Sequence, residues 1–543
     1  MARALAAAVA VALLAVSGAG GAATQQTPKR GGTVTLAAPA SPLTQEPACL
    51  NVLVARCYPG VIGTIASRVL EPAFDIGPDL TWRPRLVSKW TFTKTAPFTL
   101  TYRIRPGATW SDGVPVTARD FVFTHNAWRR LGAPDGWHRT EVRSVSAIDA
   151  STVRVVLRSR RAGWQGALFG NVLPSHALRG EDLTKIWTDR IDNPKTGEPI
   201  GSGPFVVERW LRGRQLTLVR NRRYWGTGPY LDRLVFRLGL RTEDLVSSFR
   251  AQQIDLAWGL PPAFVAVLQQ ERDLRVDTSP GSNLDQIWIR MGPGGHAALR
   301  NKLVRRALAH AIDRVALVRQ LLASFDPSQR VVDSVVFAAQ SRYYQPNWRS
   351  YRYEPSRARR LLSQAGCRRG SDSVYLCAGE RLRLRFVTAG ISGGYRVRML
   401  ELLPAQLRPV GIELVPTNTT TAAYFGQIIP SGDFDLALHA APLGPFPEAR
   451  LSYGCGAPFN GTGYCQRLVT RDLEEAERSL DPGRQARVLN RADARMARDV
   501  PVIPFAQMPQ SAARVPAVRG FALHVNAQAN FLWDAENWWL ERR

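Results

Sequence analysis

A chain of 543 residues is longer than one hydrophobic core sustains, so two or more lobes are expected. Its composition, 45% apolar and 21% charged, is that of a globular protein and excludes a disordered or fibrous one. The net charge of +27 rests almost wholly on arginine, yet the arginines are spread along the whole chain without a block or an aromatic-interleaved patch; this reads as a solvated basic surface, and no nucleic-acid partner is expected. An acidic wall polymer, a lipid surface or an anionic ligand is the alternative use of that charge.

Residues 1–23 carry one early charge, Arg3, then an apolar run from Ala4 to Val16 and small residues suited to cleavage near Ala22 or Ala23. This is the pattern of a signal peptide, so an extracytoplasmic location, periplasmic or at the cell surface, is expected. Gly18 to Gly21 stand where a lipoprotein would place its cysteine, so no lipid anchor is expected. A polar linker, 24–30, follows.

"GGTVTLAAPA" alternates as a strand does. The six cysteines fall as three close pairs, Cys49 with Cys57, Cys367 with Cys377 and Cys455 with Cys465. Even number, short spacing and export favour three local disulfides; zinc would call for closer spacing and histidines nearby. "WTFTKTAPFTLTYRIRPGATW" predicts two strands, with Leu100, Tyr102 and Ile104 on one face. Asp112-Gly113 is a turn pair, and Thr117 with Asp120 opens a helix through a capping box whose inner face carries Phe121, Trp128 and Leu131.

"SVSAIDASTVRVVL" predicts two strands about a turn, and a hairpin is expected through Arg212-Gly213-Arg214. Thr242 is expected to cap a short helix with Leu245, Val246 and Phe249 inward, ahead of the strand ending at Trp258. In "NKLVRRALAHAIDRVALVRQLL", Val304, Leu308, Ala311, Val315, Val318 and Leu322 recur at helical steps, predicting one helix with Arg305, Arg306, Arg314 and Arg319 on its wet side. "EPSRARRLLSQAG" is a second helix begun by Pro355 and stopped by Gly366, and "LRLRFVTAGISGGYRVRMLELLPAQLRPVGIELVP" is a βαβ unit.

Eight segments in fixed order carry a resemblance over nearly the whole mature chain: "VLEPAFDIGPDLTWRPRLVSKW", "TYRIRPGATWSDGVPVTARDFVF", "IGSGPFVVERW" with "LVRNRRYW" and "YLDRLVFRL", "AQQIDLAWG", "VRRALAHAIDRVALV", "YEPSRARRLLSQAG", "LRPVGIELV" and "RDVPVIPFAQMP". The chain resembles the family 5 extracytoplasmic solute-binding proteins of ABC importers, the peptide, oligopeptide and nickel-binding type. The resemblance implies an α/β fold of the two-lobed periplasmic-binding-protein type II, with an extra inserted domain. It implies lobe I over 31–66, 198–282 and 508–543, the inserted domain over 67–197, and lobe II over 283–507, the chain crossing near Gly281 to Asn283 and Pro504 to Met508. It also implies a monomer that captures a small, peptide-like solute between its lobes and delivers it to an ABC permease in the membrane, with no enzymatic activity and no cofactor.

The sequence departs from the family where peptide-binding members carry a tryptophan and aspartates, one holding the peptide's amino terminus. His439, Ala440, Ala441 and Pro442 occupy that region, and the nearest downstream acid is Glu448. Arg290 stands where the family often has asparagine; facing the cleft, its guanidinium would suit a carboxylate or phosphate.

Ligands of open α/β sheets sit beyond the carboxyl ends of strands, which selects Trp258, Asn283, Gln286, Tyr395, His439 and Tyr453 as ligand-binding candidates. The seven histidines have no close pair in sequence, so no metal site is expected. Two other functions are weighed. Gly390, Ser392 and Gly394 fit the spacing of a serine-hydrolase elbow, with Asp433 or Asp435 and His439 or His524 downstream as partners. The same fold also serves proteins that present a ligand to a sensor.

Overall fold

The computed structural model describes residues 27–37, 46–57, 62–132, 136–390, 394–444, 449–526 and 531–541. The expected leader and its cleavage position lie outside the described residues, as do Ser392 and Glu448.

Alternating apolar runs from distant parts of the chain assemble into one sheet. Among the described residues it has ten strands, in the spatial order Glu413–Asn418, Arg383–Thr388, Leu436–Pro442, Arg275–Ile289, Val502–Arg514, Leu256–Trp258, Thr33–Ala37, Arg233–Arg237, Gln215–Arg220, Phe205–Leu211. Thr33–Ala37 runs parallel to both its neighbours, and so does Arg383–Thr388, as βαβ crossovers require.

The middle is built differently. Arg275–Ile289 and Val502–Arg514 are long, antiparallel and adjacent, and they pass from one half of the molecule to the other. Pairing holds from Arg275 against Arg514 to Pro280 against Pro509, lapses, and resumes from Leu284 against Gln507 to Trp288 against Val502. Gly281 sits in the lapse, where the Met508 carbonyl oxygen comes so close that a Cβ would clash with it. Amides hold the gap: the Gln507 side chain donates to the Gly281 carbonyl and to Gln340 Oε1 (2.8 Å), and Gln340 Nε2 donates to the Pro280 carbonyl (2.8 Å).

Two hydrophobic cores flank this crossing. One gathers Val34, Leu36, Leu256, Trp258 and Ala512; the other gathers Leu284, Ile287, Phe386, Leu438 and Phe505. Each fully buried large apolar side chain contributes about 1.5–3 kcal/mol, so each half has material for its own stability. The first core continues into a four-stranded antiparallel sheet of Val87–Phe92, Phe98–Ile104, Thr152–Leu157 and Val142–Asp149, covered by the helix Ala118–Leu131. Leu100, Tyr102, Ile104, Phe121 and Trp128 are buried in it. Asp120 caps that helix from inside: its carboxylate accepts from the Thr117 amide (2.8 Å) and from the Ser175 amide and hydroxyl (2.8 and 2.7 Å). Asp112 accepts from the Val114 amide within its turn (3.1 Å) and also meets His176 Nε2 at 2.8 Å.

The three disulfides form as paired in the sequence. Two helix expectations need correction. The run from Lys302 to Leu322 is two helices, Lys302–Ala311 and Arg314–Leu322, because Asp313 accepts from the Ala316 amide (2.9 Å) and starts a new helix. The break resets the helical phase, leaving Val315 exposed and Arg314 buried, donating to Asp333 (2.9 Å) and to the Pro504 carbonyl (3.1 Å); Arg305, in the first helix, is buried because the Leu299 (2.8 Å) and Asp499 (2.9 Å) carbonyls receive it. Thr242 opens a 3-10 turn, Thr242–Asp244, and the α-helix starts only at Leu245. Among the described residues no helix is long and apolar enough to cross a membrane.

Candidate functional site

The carboxyl ends of Arg383–Thr388 and Leu436–Pro442 point towards the crossing, and the next helices begin at Tyr395 and at Ala449. The βαβ unit puts Tyr395 and Arg396 in the first turn of the helix Tyr395–Leu407, over the sheet end. Both reach Asp285, a residue 1% exposed on the long strand: the Tyr395 hydroxyl and Arg396 Nη2 donate to its carboxylate, and Arg396 Nε lies 3.3 Å away. Arg396 Nη2 also touches Met508 Sδ at 3.4 Å, tying this cluster to the second crossing strand. Burial opposes the Arg396 charge, but the Asp285 carboxylate outweighs it and holds the guanidinium above its ordinary pKa. Burial, reinforced by Asp285, pushes the Tyr395 phenol up. The result is a neutralised ion pair with a protonated phenol.

Beside it, His439 lies flat on Trp288, ring centroids 3.8 Å apart at 28°. Tyr424 lies nearly parallel at 6.1 Å and Phe425 meets the imidazole edge-on at 5.9 Å. Tyr424 opens a π-helical turn, Tyr424–Ile428, a rare local geometry frequent at functional sites. Its hydroxyl donates to the Leu438 carbonyl (2.9 Å), and His439 Nδ1 is 3.3 Å from the Tyr424 hydroxyl oxygen. With the phenolic proton committed, Nδ1 donates and Nε2 keeps its lone pair. Burial, then Arg396, lowers the His439 pKa to about 4, so the ring is uncharged at neutral pH. Phe425 is 56% exposed, a large apolar face turned outward beside these groups.

The six candidates from sequence divide. Asn283, Tyr395 and His439 come together at this sheet end, Asn283 half-buried and paired with Pro442. Gln286 and Tyr453 lie behind them in the core: the buried Tyr453 hydroxyl donates to Gln286 Oε1 (2.9 Å), while Gln286 Nε2 has no hydrogen-bond partner among the described residues. Trp258 belongs to the other core, stacked on Phe531 at 4.5 Å and 2% exposed, and pairs with Ala512, four residues along the strand from Met508. Sequence reasoning missed Asp285, Arg396, Trp288, Tyr424 and Phe425. A signal existed for Asp285, an acid inside the apolar run "LDQIWI", which demands a buried partner.

Arg290 does not face the crossing. It follows the far end of the long strand, where its guanidinium donates to the Pro293 and Gly461 carbonyls (both 2.9 Å) and stitches two loops together. The hydrolase constellation is not assembled among the described residues. Asp435 accepts from the Arg385 and His296 amides (both 2.7 Å) at the end of its strand remote from His439, Asp433 pairs with Arg385, and His524 meets the Ile76 carbonyl (3.0 Å). The histidines, scattered in sequence, do produce one close pair: His125 and His138 bring their Nδ1 atoms to 3.1 Å inside the four-stranded-sheet domain. Among the described residues no group of three metal-ligating side chains is found.

Elsewhere, the loop after Thr152–Leu157 meets the helix Arg467–Arg478. The Ala162 amide donates to the Glu477 carbonyl (2.7 Å), and the Glu477 carboxylate accepts from Arg161 (3.1 Å) and Arg450 (2.7 Å).

The family model of the bacterial extracellular solute-binding proteins, family 5, matches residues 81–461. The chain belongs to this family. The oligopeptide-binding protein OppA of Mycobacterium tuberculosis is 26% identical over 485 residues, covering 87% of this chain and 80% of OppA. Among solved structures, the periplasmic EDTA-binding protein EppA superposes with a TM-score of 0.80 at 23% identity, covering 95% of this chain and 98% of EppA. The oligopeptide-binding protein AppA of Bacillus subtilis, in complex with a nonapeptide, superposes at 0.70 with 21% identity, covering 95% of this chain and all of AppA. The fold is thus the two-lobed one of solute-binding proteins, and family members work outside the cytoplasm.

Proposed function

We propose that this protein is the extracytoplasmic binding component of an ABC importer, a monomer that closes two lobes around a small peptide-like solute and passes it intact to a membrane permease. The observation that carries the reading is the pair of crossing strands between separate cores, with polar and aromatic groups massed beside the crossing. On this reading lobe I comprises 31–66, 198–282 and 508–543, the inserted domain 67–197, and lobe II 283–507. The lapse in pairing at Gly281 to Asn283 and at Met508 is the hinge, since a few unpaired positions absorb the backbone rotation of closure.

Asn283, Tyr395 and His439 face the solute, Gln286 and Tyr453 hold the sheet end rigid behind them, and Trp258 contributes from lobe I. The neutral imidazole supplies an acceptor at Nε2 and Phe425 an apolar face, a combination suited to an amide-rich, uncharged portion of the ligand. Arg161 and Glu477 join the inserted domain to lobe II when the lobes approach. No chemical step is required of any residue, and a leader cleaved near Ala22 or Ala23 accounts for export. Native mass spectrometry of the purified protein tests this: an intact small molecule that co-purifies, and is lost in a His439→Ala, Phe425→Ala double variant, is the expected result. A ligand retained by that variant, or recovered only as cleavage products, refutes it.

A further inference from the structure

A second concave site lies on lobe II, at the end of the sheet opposite the crossing. It is a cavity of about 390 Å³ between the helices Lys302–Ala311, Pro355–Gln364 and Pro482–Asp499, and its lining includes Arg306, His310, Tyr351, Arg357, Leu361 and Arg498. Arg498 precedes Val502 at the far end of the crossing strand, and six residues of strand, about 20 Å at roughly 3.3 Å per residue, separate Val502 from Met508. The cavity is thus separate from the crossing region.

Its charge is unusual for how little opposes it. Among the described residues no carboxylate lies within ion-pair distance of Arg306 or Arg498, and Arg357 has only Glu354, at 3.5 Å with both side chains nearly half exposed. The Asp499 carboxylate nearby is turned to the Tyr464 hydroxyl (2.7 Å). Arg306 spends Nε on the Arg498 carbonyl (2.9 Å) and also hydrogen-bonds the Tyr351 hydroxyl, which leaves the rest of its guanidinium fork to the cavity. The buried His310 uses Nδ1 on the Arg352 carbonyl (3.0 Å), and burial holds its pKa below the ordinary value, so the positive charge of the cavity is that of three guanidiniums. Leu361 gives the wall an apolar patch.

Three arginines lining one concavity, two of them without a carboxylate in ion-pair distance among the described residues and the third only loosely paired, match the oxygens of a phosphate group, and the apolar patch leaves room for the carbon of an ester. We propose that this cavity is an anion-binding site of the protein, distinct from the cleft, that takes a phosphate ester, either free in solution or as the headgroup of an anionic lipid.

The test compares an Arg357→Gln, Arg498→Gln double variant with Arg143→Gln, Arg154→Gln, two exposed arginines of the inserted domain. Both variants lose the same charge, and neither removes a side-chain bond to backbone. Glycerol 3-phosphate binding is measured by calorimetry at about 0.15 M salt, where exposed charges more than ~8 Å apart are largely screened. Co-sedimentation is measured with vesicles of phosphatidylglycerol and of phosphatidylcholine. Loss of two charge-assisted contacts predicts about a tenfold or greater weakening for the cavity variant and little change for the control. Binding of glycerol 3-phosphate alone identifies a soluble ester as the occupant; binding of phosphatidylglycerol vesicles alone identifies the lipid headgroup. Equal weakening in both variants, or no binding of either probe by the parent protein, overturns the proposal.

Discussion

Replacing Arg396 with glutamine strips the guanidinium from Asp285, whose side chain is 1% exposed and keeps Tyr395 as a donor. A buried carboxylate that loses its counter-charge costs about 3–5 kcal/mol, and because Arg396 itself is one-fifth exposed we expect the lower end, about 3 kcal/mol. Asp285→Asn should cost less, since Arg396 can turn its head to water. In the double variant the uncompensated charge is gone, so its cost should fall short of the sum of the singles by about 1–3 kcal/mol. Urea unfolding followed by tryptophan fluorescence measures all four proteins, and Trp288 reports on this lobe. Additive costs, or an Arg396→Gln protein as stable as the parent, would refute the claim that this pair is a coupled, buried unit at the sheet end.

Gly281→Ala drives a methyl into the Met508 carbonyl, and overpacking of this kind costs about 1–3 kcal/mol; scattering should also show the ligand-induced contraction reduced, whereas an unchanged contraction argues against a hinge here. His439 should titrate near pH 4 by NMR and ligand affinity should be flat between pH 8 and 5.5; a midpoint above 6 contradicts the burial described. Burial, with Arg129 acting on His125 and His125 on His138, depresses both rings of the buried pair below 6.5. The unfolded chain therefore binds protons first, and stability is lost as pH falls below about 6.5. Replacing both rings with leucine should flatten that slope in pH-dependent urea melts, and an unaltered slope would exclude the pair as its source. Reduction of the disulfides, which close loops with separations of 8, 10 and 10 residues, should cost about 2.5 kcal/mol each on the chain-entropy model; an unshifted melting temperature in reductant contradicts this.

Local pattern carried most of the architecture. Alternation in Phe98–Ile104 and capping at Asp120 are decided by a few adjacent residues, so both were legible. The helix break at Asp313 was not, because apolar spacing continues through Ile312 and Val315 while one side-chain-to-amide bond restarts the helix. Arg305 and Arg314 were assigned to solvent on charge alone, yet carbonyls at the ends of other elements receive them, a partnership only the tertiary fold creates. At the candidate site, strand-end reasoning names Asn283, Tyr395 and His439, which the fold brings to one sheet end. Tyr424 and Phe425 are not legible, because nothing in "TTTAAYFGQII" announces a π-helical turn, and the burial of Gln286 against Tyr453 is not either, because sequence does not say which residues close over a central strand.

The most direct measurement is small-angle scattering of ligand-stripped protein before and after addition of a pooled peptide library. A smaller radius of gyration on addition, abolished by His439→Ala with Phe425→Ala, is the predicted result. Identical profiles, from a protein shown by mass spectrometry to have bound a library member, would mean that capture involves no closing of the lobes.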